Sequence, residues 1–258
     1  MQWQVREVLK SDSFGRVEEL ESDSGLALIR RVACGASIPG SRLIARYLMG
    51  RERAALCALG ALDGVPLLSE SEAAMEASSS GGRAPLRKDV LVRECVLGKA
   101  LHQTELLAED FFDHLDALVA ELHALGVCHN DLHKEMNVMV GEDRFPYLID
   151  FQLASLHPRR GRVFASRVQD DLRHIQKHRR RYTRDGRGPL SASALHGVGH
   201  GVKRRGLARI WRRTGKPLYN FITRRILRTS DGEERRPSTG PWPRWVEARG
   251  ERPISDSI

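Results

Sequence analysis

The chain has 258 residues, 41% hydrophobic and 29% charged, enough for one large domain or two small lobes with a buried core. Its four cysteines, Cys34, Cys57, Cys95 and Cys128, form no CxxC pair, which argues against a zinc site or a disulfide framework and for a reducing, cytoplasmic setting. No apolar run approaches the roughly 18 residues of a spanning helix, and charge from Arg6 onward leaves no secretory leader, so any membrane contact is expected to be peripheral. The net charge of +9 is unevenly divided. Residues 1–156 hold 16 Lys and Arg against 24 Asp and Glu, a net of −8, and residues 157–258 hold 26 against 9, a net of +17. Such asymmetry points to a polyanionic partner, with a solvated basic helix and tail as the plain alternative.

In chain order, Trp3 to Leu9, Arg16 to Leu20 and Leu26 to Val32 read as strands separated by the turn-rich SDSFG and ESDSG. The spacing of Leu43, Leu48, Ala55 and Leu59 predicts a helix from Ser41, closed by Gly60. VPLL reads as a strand, the small-residue stretch 71–88 as an exposed hairpin loop or linker, and Val90 to Val96 as the next strand. Glu105 to Leu125 carries Phe111, Leu115, Leu118, Leu122 and Leu125 at helical intervals, with Gly126 as the stop. A further helix is predicted around Asp171–Tyr182, then a Gly/His-rich linker around 184–206 and a basic stretch over 207–228. Residues 229–258 read as disordered. The pattern is α+β and bilobal, with a β-rich N-lobe over 1–96 and a mainly helical C-lobe over 97–228.

From Leu122 to Ser155 the chain reads LHALGVCHNDLHKEMNVMVGEDRFPYLIDFQLAS. A loop after Gly126 presents His129, Asp131 and Asn137, and a short hairpin then runs into Asp150-Phe151-Gln152. Phosphoryl transfer needs such a set: one carboxylate to orient the attacking hydroxyl, and an amide and a second carboxylate to hold magnesium on the triphosphate.

The segment HNDLHKEMN…LIDFQLAS resembles the catalytic loop and metal motif of the protein-kinase-like superfamily. It is most similar to RIO-like serine/threonine kinases and the bacterial lipopolysaccharide sugar (Kdo) kinases. The similarity continues through LKSDSFGRVE, RERAALCALGALDGVP, DLRHIQKHRRRY and WRRTGKPLYNFITRRIL, leaving out 71–88, 185–205 and the tail. The resemblance implies a bilobal protein-kinase-like fold and an ATP- and Mg2+-dependent enzyme. It implies that Asp131 is the catalytic carboxylate, that Asn137 and Asp150 are the metal ligands, and that His129 and Asp171 support the loop. The β3 lysine of kinases falls on LALIRRV, so Arg30 or Arg31 replaces it, with Glu52 as the helix partner. Alternation puts the two arginines on opposite faces, and Arg30 is the preferred one. The phosphate-covering loop is SDSFGR, with Ser11, Ser13 and the single Gly15.

Three departures from the family pattern matter. Asn137 stands six residues after Asp131 where kinases have five, and Gln152 replaces the glycine of DFG. Only 21 residues separate Asp150 from Asp171, too few for a full activation segment. These features point to an unswitched enzyme with a compact substrate. A GxSxG elbow and HExxH are absent, TGKP lacks the glycine and strand of a P-loop, and His196 and His200 suit a flexible linker better than a metal site.

The basic stretch alternates Ile210, Trp211, Phe221 and Ile226 with arginines, as would either an amphipathic helix lying on anionic lipid or a C-lobe helix pair packed on the core. The leading expectation is a phosphotransferase acting on a protein serine or threonine. A lipid-linked or lipopolysaccharide sugar hydroxyl at the inner membrane surface is the enzymatic alternative, and a pseudokinase scaffold the non-enzymatic one. Nucleic acid is not the expected partner, since a module using the basic half alone has no need of the acidic motif.

Overall fold

The structure is a computed structural model that describes residues 1–11, 15–34, 40–77, 85–183 and 242–250. The basic stretch 207–228, the linker with His196 and His200, and Ser13 of the SDSFGR turn lie outside the described residues. The chain divides into two compact units, 1–53 with 67–95, and 54–66 with 96–183 and 242–250 among the described residues. A β-rich antiparallel N-terminal part followed by helices is consistent with a bilobal kinase-like fold.

In the first unit, β1 (Trp3–Ser11), β2 (Gly15–Ser22), β3 (Ala27–Ala33) and β4 (Val90–Glu94) form a four-stranded antiparallel sheet in the order β1-β2-β3-β4. The polar turn predicted at 21–25 is the hairpin connection between β2 and β3. Gly15 faces Ala33 across the ladder, and a Cβ there would lie 2.2 Å from the Val32 carbonyl oxygen, so close strand approach demands glycine. Helix α1 (Ser41–Leu59) packs Ala45 and Met49 against Ala33 and Leu91 on one face of the sheet. On the other face, Ala74, Met75 and Ala77 pack against Leu20, Leu28, Val90 and Val92.

Two predictions fail here for local reasons. VPLL makes only an isolated bridge from Leu68 to Arg93, since Pro66 has no N–H to give a ladder. The stretch predicted as an exposed loop contains α2 (Glu72–Glu76), capped by Ser71, whose hydroxyl accepts the Ala74 N–H at 3.2 Å. Burial of Ala74 and Met75 explains why small residues here make a packed helix rather than a linker.

The second unit begins with β5 (Gly98–Ala100) and β6 (Leu106–Ala108), followed by α3 (Phe111–Ala124) and β7 (Val127–Cys128). Strands β8 (Val138–Gly141) and β9 (Pro146–Leu148) form a hairpin with β5 at its edge, and β10 (Ser155–Leu156) pairs with β7. Helix α4 (Arg162–Thr183) starts nine residues before the predicted Asp171, and α3 starts six after the predicted Glu105 because 106–108 is extended. A final strand, β11 (Arg244–Val246), lies in the stretch read as structureless and pairs in parallel with β6. Gly126, at φ +79, ends α3 in the left-handed region, and a Cβ would meet the His157 carbonyl at 2.9 Å. Arg179 of α4 is gripped by Asp113 at 2.8 Å and Asp116 at 2.6 Å, which fixes α4 on α3.

Candidate active site

The loop after β7 is held by one face of α4. The Asp171 carboxylate is fully buried and accepts the backbone N–H groups of His129 at 2.8 Å and Asn130 at 2.9 Å, with the His123 ring at 3.2 Å. Two turns further on, the His178 ring donates through Nε2 to the Leu132 carbonyl at 2.7 Å. Near the end of α4, Arg181 and Tyr182 both bind the Glu135 carboxylate. Residues 171, 178, 181 and 182 share one side of the helix, so a single element sets the backbone of 129–135. Asp171→Asn would oppose an amide N–H to a buried backbone donor. We expect it to cost about 2–3 kcal/mol in urea denaturation, and a change below the noise would show that the loop does not depend on this carboxylate.

Two residues of the loop carry positive φ. Asn130, at φ 65, donates from Nδ2 to the Cys128 and Leu153 carbonyls and the Ser155 hydroxyl. Asp150, at φ 65 and ψ 66, follows β9 in the same left-handed conformation, which costs a non-glycine residue on the order of 1 kcal/mol and is concentrated at functional sites. His129 joins the two segments. Its Nδ1 accepts the Asp131 N–H at 3.3 Å, its Nε2 donates to the Ile149 carbonyl at 3.0 Å, and its ring packs on Phe151 at 4.6 Å.

Asp131 is 2% exposed. Its Oδ2 accepts from Asn137 Nδ2 at 3.0 Å and lies 3.1 Å from Lys134 Nζ, while Oδ1 faces His133 Nδ1 at 3.0 Å. Burial pushes this carboxyl up, but the His133 hydrogen bond and the Lys134 charge outweigh it and hold it below the ordinary carboxylate value. Between Asp131 and Asn137 the backbone makes two successive turns, Lys134 N–H to the Asp131 carbonyl and Asn137 N–H to the Lys134 carbonyl.

Asn137 commits its amide nitrogen to the Asp131 carbonyl and Oδ2, which turns its amide oxygen the other way. The Ile149 N–H bonds the Asn137 carbonyl at 3.1 Å, so Asn137 and Asp150 leave adjacent ends of the β8–β9 hairpin. An amide oxygen and a carboxylate there are the hard donors that magnesium takes, and the residues fit that ion. A different trio, His123, Cys128 and Asp171, lies within 4.8 Å but does not suit a metal. Asp171 is already bonded to two backbone N–H groups. Burial and the Asp171 charge push the Cys128 thiol up to about 12, so it stays protonated.

His178 gives a pH signature. Burial lowers its pKa from 6.5 to about 4. The unfolded chain therefore binds a proton more readily than the folded one, so this contribution to stability is complete above pH 6.5 and is lost as pH falls toward 4. The full effect is roughly 3 kcal/mol. His178→Gln keeps a donor for the Leu132 carbonyl and should flatten the fall in thermal midpoint between these values; an unchanged slope would exclude His178 as its source.

In the first unit, the two candidate arginines meet different glutamates. Arg30 is 1% exposed, pairs with buried Glu18 at 2.8 Å, and donates to the carbonyls of Ala74, Met75 and Ala77. Arg31, on the opposite face, meets Glu52 at 3.3 Å, and Arg93 lies 3.8 Å from the same carboxylate. The alternation was legible; that α1 lies on the Arg31 face was not. Sequence reading also passed over His133, Lys134 and Glu135, which carry no motif of their own, although Lys134 sits at i+3 from Asp131.

The antiparallel strands of the first unit and the helices that follow are consistent with a bilobal kinase-like fold. The model of the APH phosphotransferase enzyme family matches residues 44–160, a span that begins in α1 and includes Asp131, Asn137 and Asp150. That similarity supports a kinase-like phosphotransfer activity. No curated protein gave a significant match to the chain.

Proposed function

We propose that the protein is an ATP- and Mg2+-dependent phosphotransferase that moves the γ-phosphoryl group to a hydroxyl acceptor, in the manner of RIO-like serine/threonine kinases. The observation that carries the reading is the buried Asp131 carboxylate, kept ionised between Lys134, Asn137 and His133. Asp131 orients the acceptor hydroxyl and takes its proton as the new O–P bond forms and the bond to the β-phosphate oxygen breaks, leaving ADP. Lys134, beside the same carboxylate, supplies positive charge for the transferred group. Magnesium, held by Asn137 and Asp150, would neutralise charge on the phosphates. In the first unit Arg31, steadied by Glu52, takes the place of the usual lysine toward the nucleotide phosphates, and Gly15 begins the strand after the phosphate-covering turn. His129 and Asp171 act through the loop backbone.

A second acceptor class, a sugar or lipid-linked sugar hydroxyl, draws support from the short path between Asp150 and α4. It holds only a 3-10 turn and the two residues of β10, little to cradle an extended peptide. No helix among the described residues is long and apolar enough to cross a membrane. A cytoplasmic enzyme, with peripheral contact to anionic lipid through 207–228, suits either acceptor. A scaffold has no use for the paired Asp131 and Asn137.

The test is transfer of label from γ-labelled ATP into a fractionated lysate, with and without EDTA. Magnesium-dependent label in protein supports the serine/threonine acceptor, and label in the lipid or saccharide fraction supports the sugar. No label in any fraction, with no ATP turnover, would overturn the enzyme reading.

A further inference from the structure

The first unit holds a pocket of about 470 Å³ lined by Arg46, Met49, Gly50, Arg53, Glu70, Met75, Arg87, Lys88 and Val90. It is formed by α1, α2, the residues after Pro66 and the single 3-10 turn of Arg87–Asp89 that leads into β4. Its size is that of a small-molecule site, for which a mostly apolar lining with a few polar groups is typical. Met49, Met75 and Val90 supply the apolar part. Four cations line it against one acid, Glu70.

These cations are not all neutralised. Arg46 is answered by Asp89, which Arg42 also binds, and Arg87 by the exposed Glu72 at 3.0 Å. Arg53 donates to the Val90 carbonyl at 2.9 Å, and neither it nor Lys88 has an acidic partner among the described residues. The elements that form the pocket also expose apolar side chains: Leu43 at 66% and Tyr47 at 64% on α1, and Leu86 at 51% before Arg87. Cations over an apolar lining suit a ligand with an anionic head and a hydrocarbon tail.

We propose that this pocket binds an anionic amphiphile, an acyl or alkyl chain bearing a phosphate, either as a soluble molecule or as the headgroup region of an anionic bilayer. The head is held by Arg53, Arg87 and Lys88, and the chain lies along Met49, Met75 and Val90. Met49 and Arg53 flank Glu52, the residue that holds Arg31, so the ligand bears on the same helix that positions this arginine. The proposal does not depend on phosphotransfer.

The full-length protein is titrated calorimetrically with dodecyl phosphate below its micellar concentration, with inorganic phosphate and with monomeric dodecyl maltoside. It is also co-sedimented with phosphatidylglycerol and phosphatidylcholine vesicles. Dodecyl phosphate is expected to bind at least about tenfold more tightly than either control, since each tenfold is about 1.4 kcal/mol and a buried alkyl chain contributes several times that. Binding of the monomer identifies a soluble ligand; sedimentation with phosphatidylglycerol alone identifies a bilayer. The exposed pair Arg87→Glu and Lys88→Glu should weaken binding at least tenfold. Gly50→Phe should abolish monomer binding without lowering the thermal midpoint, because the space beyond Gly50 is open and glycine is a poor residue in mid-helix. The proposal is overturned if inorganic phosphate binds as tightly as dodecyl phosphate, if both variants bind like the parent chain, or if neither monomer nor anionic vesicle binds.

Discussion

Replacing Asp131 by asparagine should lower phosphotransfer by roughly 10³-fold while leaving the chain folded. The substitution keeps the side-chain volume, so the packing around a 2% exposed residue is little disturbed. It removes the group that orients the acceptor hydroxyl and can take its proton. It also removes the negative charge on which Lys134 and His133 converge. The two readouts are turnover of γ-labelled ATP and the thermal midpoint. Loss of activity with an unchanged midpoint places Asp131 at the chemistry. Retained turnover would remove it from that role and, with it, the carboxylate on which the proposed function rests.

Arg30→Met should destabilise the protein by about 3–5 kcal/mol, because it removes one partner of a buried ion pair and the donor to three buried carbonyls in one step. Glu18 is fully buried and keeps the partly exposed Arg16 at 3.2 Å, but the carbonyls of Ala74, Met75 and Ala77 lose this donor. Arg31→Met should behave differently. Glu52 is equally buried but keeps Arg93 at 3.8 Å, so stability should fall by less, about 1–2 kcal/mol. The proposed function predicts that ATP affinity drops at least tenfold in this variant. Urea denaturation and nucleotide titration of both variants decide the matter. If Arg31→Met binds ATP like the parent chain, it is not the phosphate-contacting cation. If Arg30→Met is as stable as the parent, Arg30 does not hold α2 to the sheet.

The local arrangement of the loop was legible because its residues are close in sequence. His129, Asp131, Asn137 and Asp150 lie within 22 residues, and a hairpin is enough to bring Asn137 and Asp150 to adjacent strand ends. Helix α1 was equally clear, since its apolar spacing and Gly60 are read from neighbours in sequence. Where composition stood in for packing, the reading failed. Small residues in 72–76 suggested a linker, yet Ser71 caps a helix there whose carbonyls receive a buried arginine. Low complexity near the C-terminus suggested disorder, yet 244–246 pairs with 106–108, and the Arg249 and Gly250 N–H groups bind the Asp110 carboxylate. No local signal announces a pairing between strands more than a hundred residues apart.

The amino-acid sequence by itself determined which polar groups the loop carries, their order, and the alternation that sends Arg30 and Arg31 to opposite faces. Those follow from covalent spacing and the period of a strand. Which arginine meets Glu52 was decided only by the tertiary structure, because it depends on which face of the sheet α1 covers and which α2 covers. The same holds for the support of the loop over 129–135. Asp171, His178 and Arg181 reach it from α4, more than forty residues away, and only the packing of that helix on α3 brings them to the carbonyls, N–H groups and carboxylate they bind.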